Sequence, residues 1–346
     1  MQEEFEDIEN EENEEELFEH YRFKVDPGQE ILRIDKFLLD RLPNTSRNKI
    51  QFAAKNGNVR VNNETVKPNY RVKPADEITI VMPYPVREIE LIPENIPIEI
   101  VYEDDQLAIV NKPSNMVVHP GYGNYTGTLV NAMVYHFDNL PSRIEDYFGR
   151  PGLVHRLDKN TTGIMVIAKT EYALSNLAKQ FADRTTERRY HALVWGDIEN
   201  DGTVTGNIGR SLKNRKVMTV FPDGEYGKHA VTHYKVIERF GLVTLIECKL
   251  ETGRTHQIRA HLKHLGHPLF NDNEYGGDRI VRGTTHTKYK QFIDNCFSLI
   301  PGQALHAKTL GFIHPKTKKD MLFDSNLVEG FEKILQKWRI YTKEKE

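Results

Sequence analysis

Apolar positions between residues 26 and 82 fall into a short, regular series. Ile34, Phe37, Leu38 and Leu42 recur at near-helical spacing and predict a helix. Asn44, Thr45 and Ser46 form a polar cluster suited to capping a second helix, which would bury Ile50, Ala53 and Ala54 and end at Asn56-Gly57. The segments NVRV (58–61), NN (62–63) and ETV (64–66) predict a hairpin, and DEITIVM (76–82) a closing strand. Pro83, Pro85, Pro93 and Pro97 then punctuate a stretch with few helix signals, read as a linker or an extended entry strand.

A different pattern begins near residue 99. In EIVYEDDQLAIVNKP (99–113) two apolar runs flank an acidic turn, which predicts a hairpin. TLVNAMVYHF (128–137) places Leu129, Ala132, Met133 and His136 on one helical face, and EYALSNLAKQFADR (171–184) does the same for Leu174, Leu177, Ala178 and Phe181. RRYHALVWG (188–196) and GLVTLIECKLETG (241–253) read as strands. THQIRAHLKHLG (255–266) reads as a helix stopped by Gly266, and LVEGFEKILQKW (327–338) as a C-terminal amphipathic helix. Strands and helices mix without strict βαβ alternation, so the predicted class is α+β, with no internal repeat.

Composition adds limits. A chain of 346 residues, 38% hydrophobic, has room for a sizeable core and about two or three domains. It contains no apolar stretch long enough to span a membrane, and its acidic start is unlike a secretory signal. Cys248 and Cys296 lack C-x-x-C spacing, which argues against a disulfide framework or thiolate zinc and for a reducing cytoplasm.

Charge changes the picture more. Residues 1–20 hold ten glutamates, one aspartate and no Lys or Arg. The rest of the chain carries 39 acidic against 47 basic side chains, so a protein of net charge −3 is an acidic leader on a basic body. The leader reads as a solvated, disordered segment, with masking of the basic surface as the sharper alternative. A basic body points to a polyanionic partner, with phosphate foremost. Ten Lys and Arg fall in the helix–hairpin unit, among them Arg33, Arg47, Lys49 and Arg60. They suit an RNA backbone, and equally a generic soluble module.

Three segments could carry chemistry. In GLVHRLDKNTTGIMVIAKT (152–170), Asp158 sits among cations directly before an apolar strand, where it is either a turn cap or a reacting carboxylate. In LETGRTHQIRAHLKHLGHPL (250–269), Gly253 would allow a tight turn and Thr255 would cap the helix, while Arg254 offers a planar fork to a carboxylate. The histidines there lack H-E-x-x-H spacing and read as structural or surface groups rather than metal ligands. In Arg188-Arg189-Tyr190, the tyrosine could stack on a base while the arginines hold phosphate, or it could simply be half-buried in a sheet.

Taken together, HRLDKNTTG, ERRYHALVWG and ETGRTHQIRAHLKHLGHPL, with EDDQLAIVNKPSNMVVHP (103–120) ahead of them, closely resemble pseudouridine synthases of the RluA/RluD type over about 99–330. Residues 26–82 resemble the S-four-type RNA-binding domain of the RluD branch. The family usually has Ser where this chain has Thr162, and both offer a hydroxyl.

The acidic leader (1–20) lies outside the resemblance, which implies an RNA-binding α/β-hairpin domain (21–83) and, after the proline-punctuated linker (84–98), a catalytic domain (99–346) with a mixed, mainly antiparallel sheet and surrounding helices. It implies a cytoplasmic isomerase with no cofactor and no metal. The implied partner is RNA, foremost a large-subunit ribosomal RNA stem-loop or the pre-ribosomal large subunit. The alternatives are another ribosomal site or a tRNA, and a non-catalytic ribosome-assembly factor. Asp158 would be the essential carboxylate and Arg254 the cation that keeps it charged. Tyr190 would pack on the target base, and Arg156 would enter the RNA stack as the uridine leaves.

Overall fold

In the computed structural model the described residues are 17–42, 45, 47–82, 91–121, 123–142, 150–214 and 216–344, apart from the side chain of Lys49. They form two units, one within Met1–Glu90 and one from Leu91 onward. The expectations for residues 1–16, Asn44, Ser46, Pro83 and Pro85 lie outside the described residues.

The first unit runs β1 (Phe18–Lys24), β2 (Leu32–Arg33), α1 (Ile34–Leu39), α2 (Arg47–Lys55), β3 (Val59–Val61), β4 (Glu64–Thr65), β5 (Arg71–Val72) and β6 (Glu77–Met82). Its main sheet has the order β1-β6-β3-β4, with β2 and β5 paired separately. The helices bury Ile34, Phe37, Leu38, Ile50 and Ala54 against Val59, Val61, Ile78 and Ile80. Asn62 and Asn63 have φ of 52° and 69°. Both therefore sit in the left-handed region that a two-residue hairpin turn of type I′ requires and asparagine tolerates. The acidic leader was expected to reach residue 20, but Phe18–Lys24 is a strand antiparallel to β6. Tyr21 and Phe23 pack on the core of this unit, which outweighs the acidic character of the segment.

The second unit begins with the hairpin β7 (Glu99–Glu103) and β8 (Leu107–Lys112), then α3 (Leu129–His136), β9 (Thr162–Ala168) and α4 (Glu171–Ala182). β10 (Glu187–Trp195), β11 (Gly202–Arg210), β12 (Met218–Phe221), β13 (Lys228–Arg239) and β14 (Val243–Leu250) follow as a run of strands. α5 (Gln257–His264), α6 (Thr287–Phe297), β15 (Leu305–Ile313), β16 (Asp320–Asp324) and α7 (Glu329–Lys343) complete it. Ten strands form one sheet in the order β12-β11-β13-β14-β10-β15-β9-β8-β7, with β16 beside β15. β9 and β15 run parallel, and the other pairings are antiparallel. The fold is α+β, as expected.

One core packs α3 and α5, through Leu129, Met133, Ile258 and Leu262, against Ala192, Val194 and Ile246. Another packs α6 and α7, through Ile293, Phe331 and Trp338, around Trp195 and Phe270. The parallel join is made by Gly163 at φ 109°, where a Cβ would lie 2.3 Å from Ala307 O. A glycine is required there, only five residues after Asp158. Among the described residues no helix is long and apolar enough to cross a membrane.

Candidate active site

Asp158 lies on the loop that enters β9, and buried polar groups anchor that loop. Lys112, at the end of β8, is fully buried. Its Nζ donates to Pro113 O at 2.7 Å, Met116 O at 2.9 Å and Lys159 O at 3.0 Å. Three acceptors match the three donors of an ammonium group. Burial pushes the Lys112 pKa down to about 7, and the charge of Asp158 opposes that shift. Ser114 Oγ adds a bond to Asn160 O at 3.1 Å.

Beyond the turn, the Thr162 hydroxyl lies 2.7 Å from His306 Nδ1, so the residue that departs from the family pattern still uses its hydroxyl. His155 does not act on the loop as a charged group. Its ring stacks on Phe181 at 4.5 Å, and its Nε2 accepts from Val166 N at 3.1 Å. Burial, with the Arg188 charge adding, pushes its pKa down to about 3.

The cation beside Asp158 is not the expected one. Arg259 Nη1 stands 3.3 Å from Asp158 Oδ2. Arg254 Nε instead donates to His229 O at 3.1 Å. Among the described residues the ion-pair partner of Asp158 is Arg259, and the His256 ring stands further off, with Nε2 3.9 Å from Oδ1. Arg254 precedes α5 and turns toward β13, whereas Arg259 lies inside the helix, where Gln257 to Leu262 are all buried.

Asp272, itself fully buried, grips Arg259 through Nε at 2.7 Å and Nη2 at 2.8 Å, and Glu274 takes Nη2 at 2.6 Å. The Tyr275 ring lies beneath the guanidinium at 4.7 Å. Desolvation would lower the Arg259 pKa, but the bonds to Asp272 and the charges of Asp158 and Glu274 raise it well above the usual arginine range. A permanently charged, fixed fork thus offers Nη1 to Asp158.

The turn before α5 also departs from expectation. The residue at the N-cap is His256, at a left-handed φ of 52°, and not Thr255. Gln257 braces the turn instead: its Oε1 accepts from Arg254 N at 3.0 Å and from Thr252 Oγ1 at 2.7 Å. The Tyr275 hydroxyl accepts from Met218 N and lies 3.0 Å from His256 Nδ1, to which its own proton is free to donate. That leaves Nε2 as the His256 N–H, 3.9 Å from Asp158 Oδ1. Burial lowers the His256 pKa, and the charge of Asp158 opposes it.

Asp158 opens into a cleft of about 380 Å³ that Arg156, Tyr190 and Arg254 also line. The four catalytic-domain residues singled out in the sequence therefore share one cleft, although Arg254 is not the ion-pair partner of Asp158. Arg156 is exposed at the cleft. Tyr190 is nearly buried, and burial raises its pKa, with the Arg188 charge lowering it and that of Asp158 raising it. Arg184 and Arg188 also line the cleft, which gives four arginines to one aspartate. Sequence reasoning missed Arg259, Lys112 and Asp272.

In the first unit, Arg33 and Arg47 both bind the buried Asp35 at 3.0 Å, with Gln51 at 2.7 Å. Burial would raise the Asp35 pKa, but these bonds outweigh it and hold the carboxyl well below the usual range. The two arginines are thus partly structural, while their side chains stay 41% and 44% exposed. Arg60 lies on β3 with Nε buried and unpartnered, and Lys49 lies on α2. Arg33, Lys55 and Lys67 line one groove on this unit. Histidines of the 250–269 segment have protein partners: His261 Nδ1 lies 2.9 Å from Thr232 Oγ1, and His267 Nδ1 donates to Trp195 O at 2.8 Å. Among the described residues no three His, Cys, Asp or Glu side chains are grouped to hold a metal.

Comparison with known proteins accords with this arrangement. A family model of RNA pseudouridylate synthases matches residues 106–264, and an S4 domain model matches 32–78. An "Uncharacterized RNA pseudouridine synthase" of Chlorobaculum parvum is 47% identical over 91% of this chain and 96% of its own. The "Ribosomal large subunit pseudouridine synthase D" of Zymomonas mobilis is 40% identical over 88% of this chain and 93% of its own. Among solved structures, "Human RNA Pseudouridylate Synthase Domain Containing 4" superposes with a TM-score of 0.53 at 26% identity, covering 70% of this chain and 93% of that one. Identity at this level over nearly the whole length shows that the chain belongs to the RNA pseudouridine synthases, isomerases of RNA, in the form that carries an N-terminal S4 domain.

Proposed function

We propose that this enzyme isomerises uridine in large-subunit ribosomal RNA, with Asp158 as the essential carboxylate. The observation that carries the reading is a carboxylate held at an arginine-lined cleft by a guanidinium that is itself locked from behind by Asp272. In the reaction the bond from ribose C1′ to uracil N1 breaks, the base turns, and C5 bonds to C1′. C5 loses its proton to solvent and N1 gains one, so atoms balance with no redox step. Asp158 serves as nucleophile on the sugar or as the base that removes a sugar proton, and in both roles its carboxylate reacts while facing the Arg259 guanidinium. Tyr190 packs on the base, and Arg156 enters the gap left in the RNA stack, recovering part of the few kcal/mol that extrusion costs. Arg254, Arg33, Arg47, Lys49 and Arg60 supply backbone contacts.

The ribosomal target is supported by the name of the Zymomonas mobilis relative and by the S4 domain. A cytoplasmic site of action is supported by Cys248 and Cys296, which are free and buried. Mapping pseudouridines in RNA from cells with and without this protein tests the substrate. We expect one or more large-subunit positions to revert to uridine, and losses confined to tRNA would contradict it.

A further inference from the structure

β10 carries two adjacent arginines with opposite surroundings. Arg189 is paired, with Glu187 at 2.6 Å and Glu247 at 2.8 Å. Arg188 is 9% exposed, its Nε is buried without a hydrogen-bond partner, and among the described residues it has no ion pair. Its neighbours are the Phe181 ring, 5.6 Å from the guanidinium carbon, and Gly253. A Cβ at Gly253 would lie 3.0 Å from Arg188 Nη1, and Gly253 has no left-handed φ. The glycine is therefore not explained by a tight turn. It leaves room for the guanidinium.

Burying an unpaired guanidinium costs several kcal/mol unless a partner neutralises it. Asp158 does not do so, because its ion pair is with Arg259 and the His256 ring is its other near neighbour. Arg188 nevertheless lines the same cleft. The missing anion must then arrive with the substrate. Uracil and ribose are neutral, so the charged part of the nucleotide is its phosphodiester.

We propose that Arg188 binds the phosphodiester flanking the extruded uridine and so seats the nucleotide with its C1′ at Asp158. Of the two arginines read in the sequence as phosphate holders, this assigns the role to Arg188, because Arg189 is already neutralised within the sheet. The proposal rests on the Asp158 cleft being the active site. That reading is tested separately by Asp158→Asn, whose turnover would remove it whatever Arg188 does.

The test uses a synthetic RNA hairpin spanning the uridine this protein modifies. Each linkage beside that uridine is made either as the normal phosphodiester or as an uncharged methylphosphonate, and single-turnover rates are read at saturating enzyme. One neutral linkage should slow the wild-type enzyme by about tenfold or more, the scale of a lost hydrogen bond to a charged group. Arg188→Gln should be slowed by a similar factor on the normal hairpin and no further by that methylphosphonate, while Arg188→Lys should recover part of the rate. Penalties that multiply, or an Arg188→Gln rate equal to wild type, would overturn the proposal. Should Arg188→Gln not fold, the wild-type rates on the normal and neutral linkages still decide. A wild-type enzyme indifferent to both neutral linkages overturns the proposal regardless of any variant.

Discussion

Arg259 Nη1 faces Asp158 Oδ2 at 3.3 Å, while Asp272 holds the opposite edge of the same guanidinium through two shorter bonds. The tight contacts are behind the arginine and the longer one is in front. Arg259 is thus fixed by Asp272 and presented to Asp158, rather than shared evenly between them.

This arrangement separates Arg259 from Arg254 in the test tube. Arg259→Lys keeps a charge but loses the fork, and we expect single-turnover rates to fall by about a hundredfold, on the scale of misplacing a fixed catalytic group. Arg254→Leu should chiefly raise the RNA concentration needed for saturation. Tritium release from uridine labelled at C5, followed against RNA concentration, distinguishes the two. A larger loss of saturating rate in Arg254→Leu would restore Arg254 as the partner.

Lys112 joins fold and site. Its ammonium closes three carbonyls, one of them next to Asp158 in the chain. Lys112→Met removes all three bonds, one of them to a buried acceptor, and should cost about 3 kcal/mol of stability. Urea unfolding measures this, and a midpoint unchanged from wild type would show that Lys112 does not anchor the loop.

Two buried histidines make stability sensitive to acid. Burial pushes His306 down to about 4, with the charges of His191 and Lys308 adding, and pushes His261 down to about 4, with His264 and His229 adding. Their unfolded values lie near the ordinary histidine value of about 6.5. Below that pH the unfolded chain binds more protons than the folded one, so stability falls as pH drops from about 6.5 toward 4. Each histidine contributes up to about 1.4 kcal/mol per pH unit in that window. Urea midpoints taken at pH 7.5, 6 and 5 check this. Midpoints constant down to pH 5 would mean that neither ring is held neutral.

Much of the site was legible because local chemistry exposed it. Asp158 stood out as a carboxylate leading into an apolar strand, and Gly163 followed where β9 meets β15. Arg259 was missed because its significance is tertiary. Asp272 lies thirteen residues further on, and Asp158 lies on a loop 101 residues earlier. A signal was present: an arginine between Ile258 and Ala260, in a helix buried from Gln257 to Leu262, must find a carboxylate. The strand β12 escaped notice because it is four residues long and ends the sheet, and β11 because Val204 and Ile208 are its only large apolar side chains. α6 escaped although Tyr289, Ile293 and Cys296 mark one buried face. The leader was overextended because acidic composition masked the aromatic positions of β1.

The central claim is that Asp158 performs the chemistry and is not a binding group. Its carboxylate carries the same sign as phosphate, so it adds no favourable backbone contact. Asp158→Asn, assayed by tritium release from C5-labelled uridine in single-turnover reactions alongside RNA binding, tests this most directly. The account predicts no detectable release with RNA affinity within about threefold of wild type, less than the 1.4 kcal/mol of a tenfold change. Appreciable turnover by the variant, with affinity retained, would contradict it.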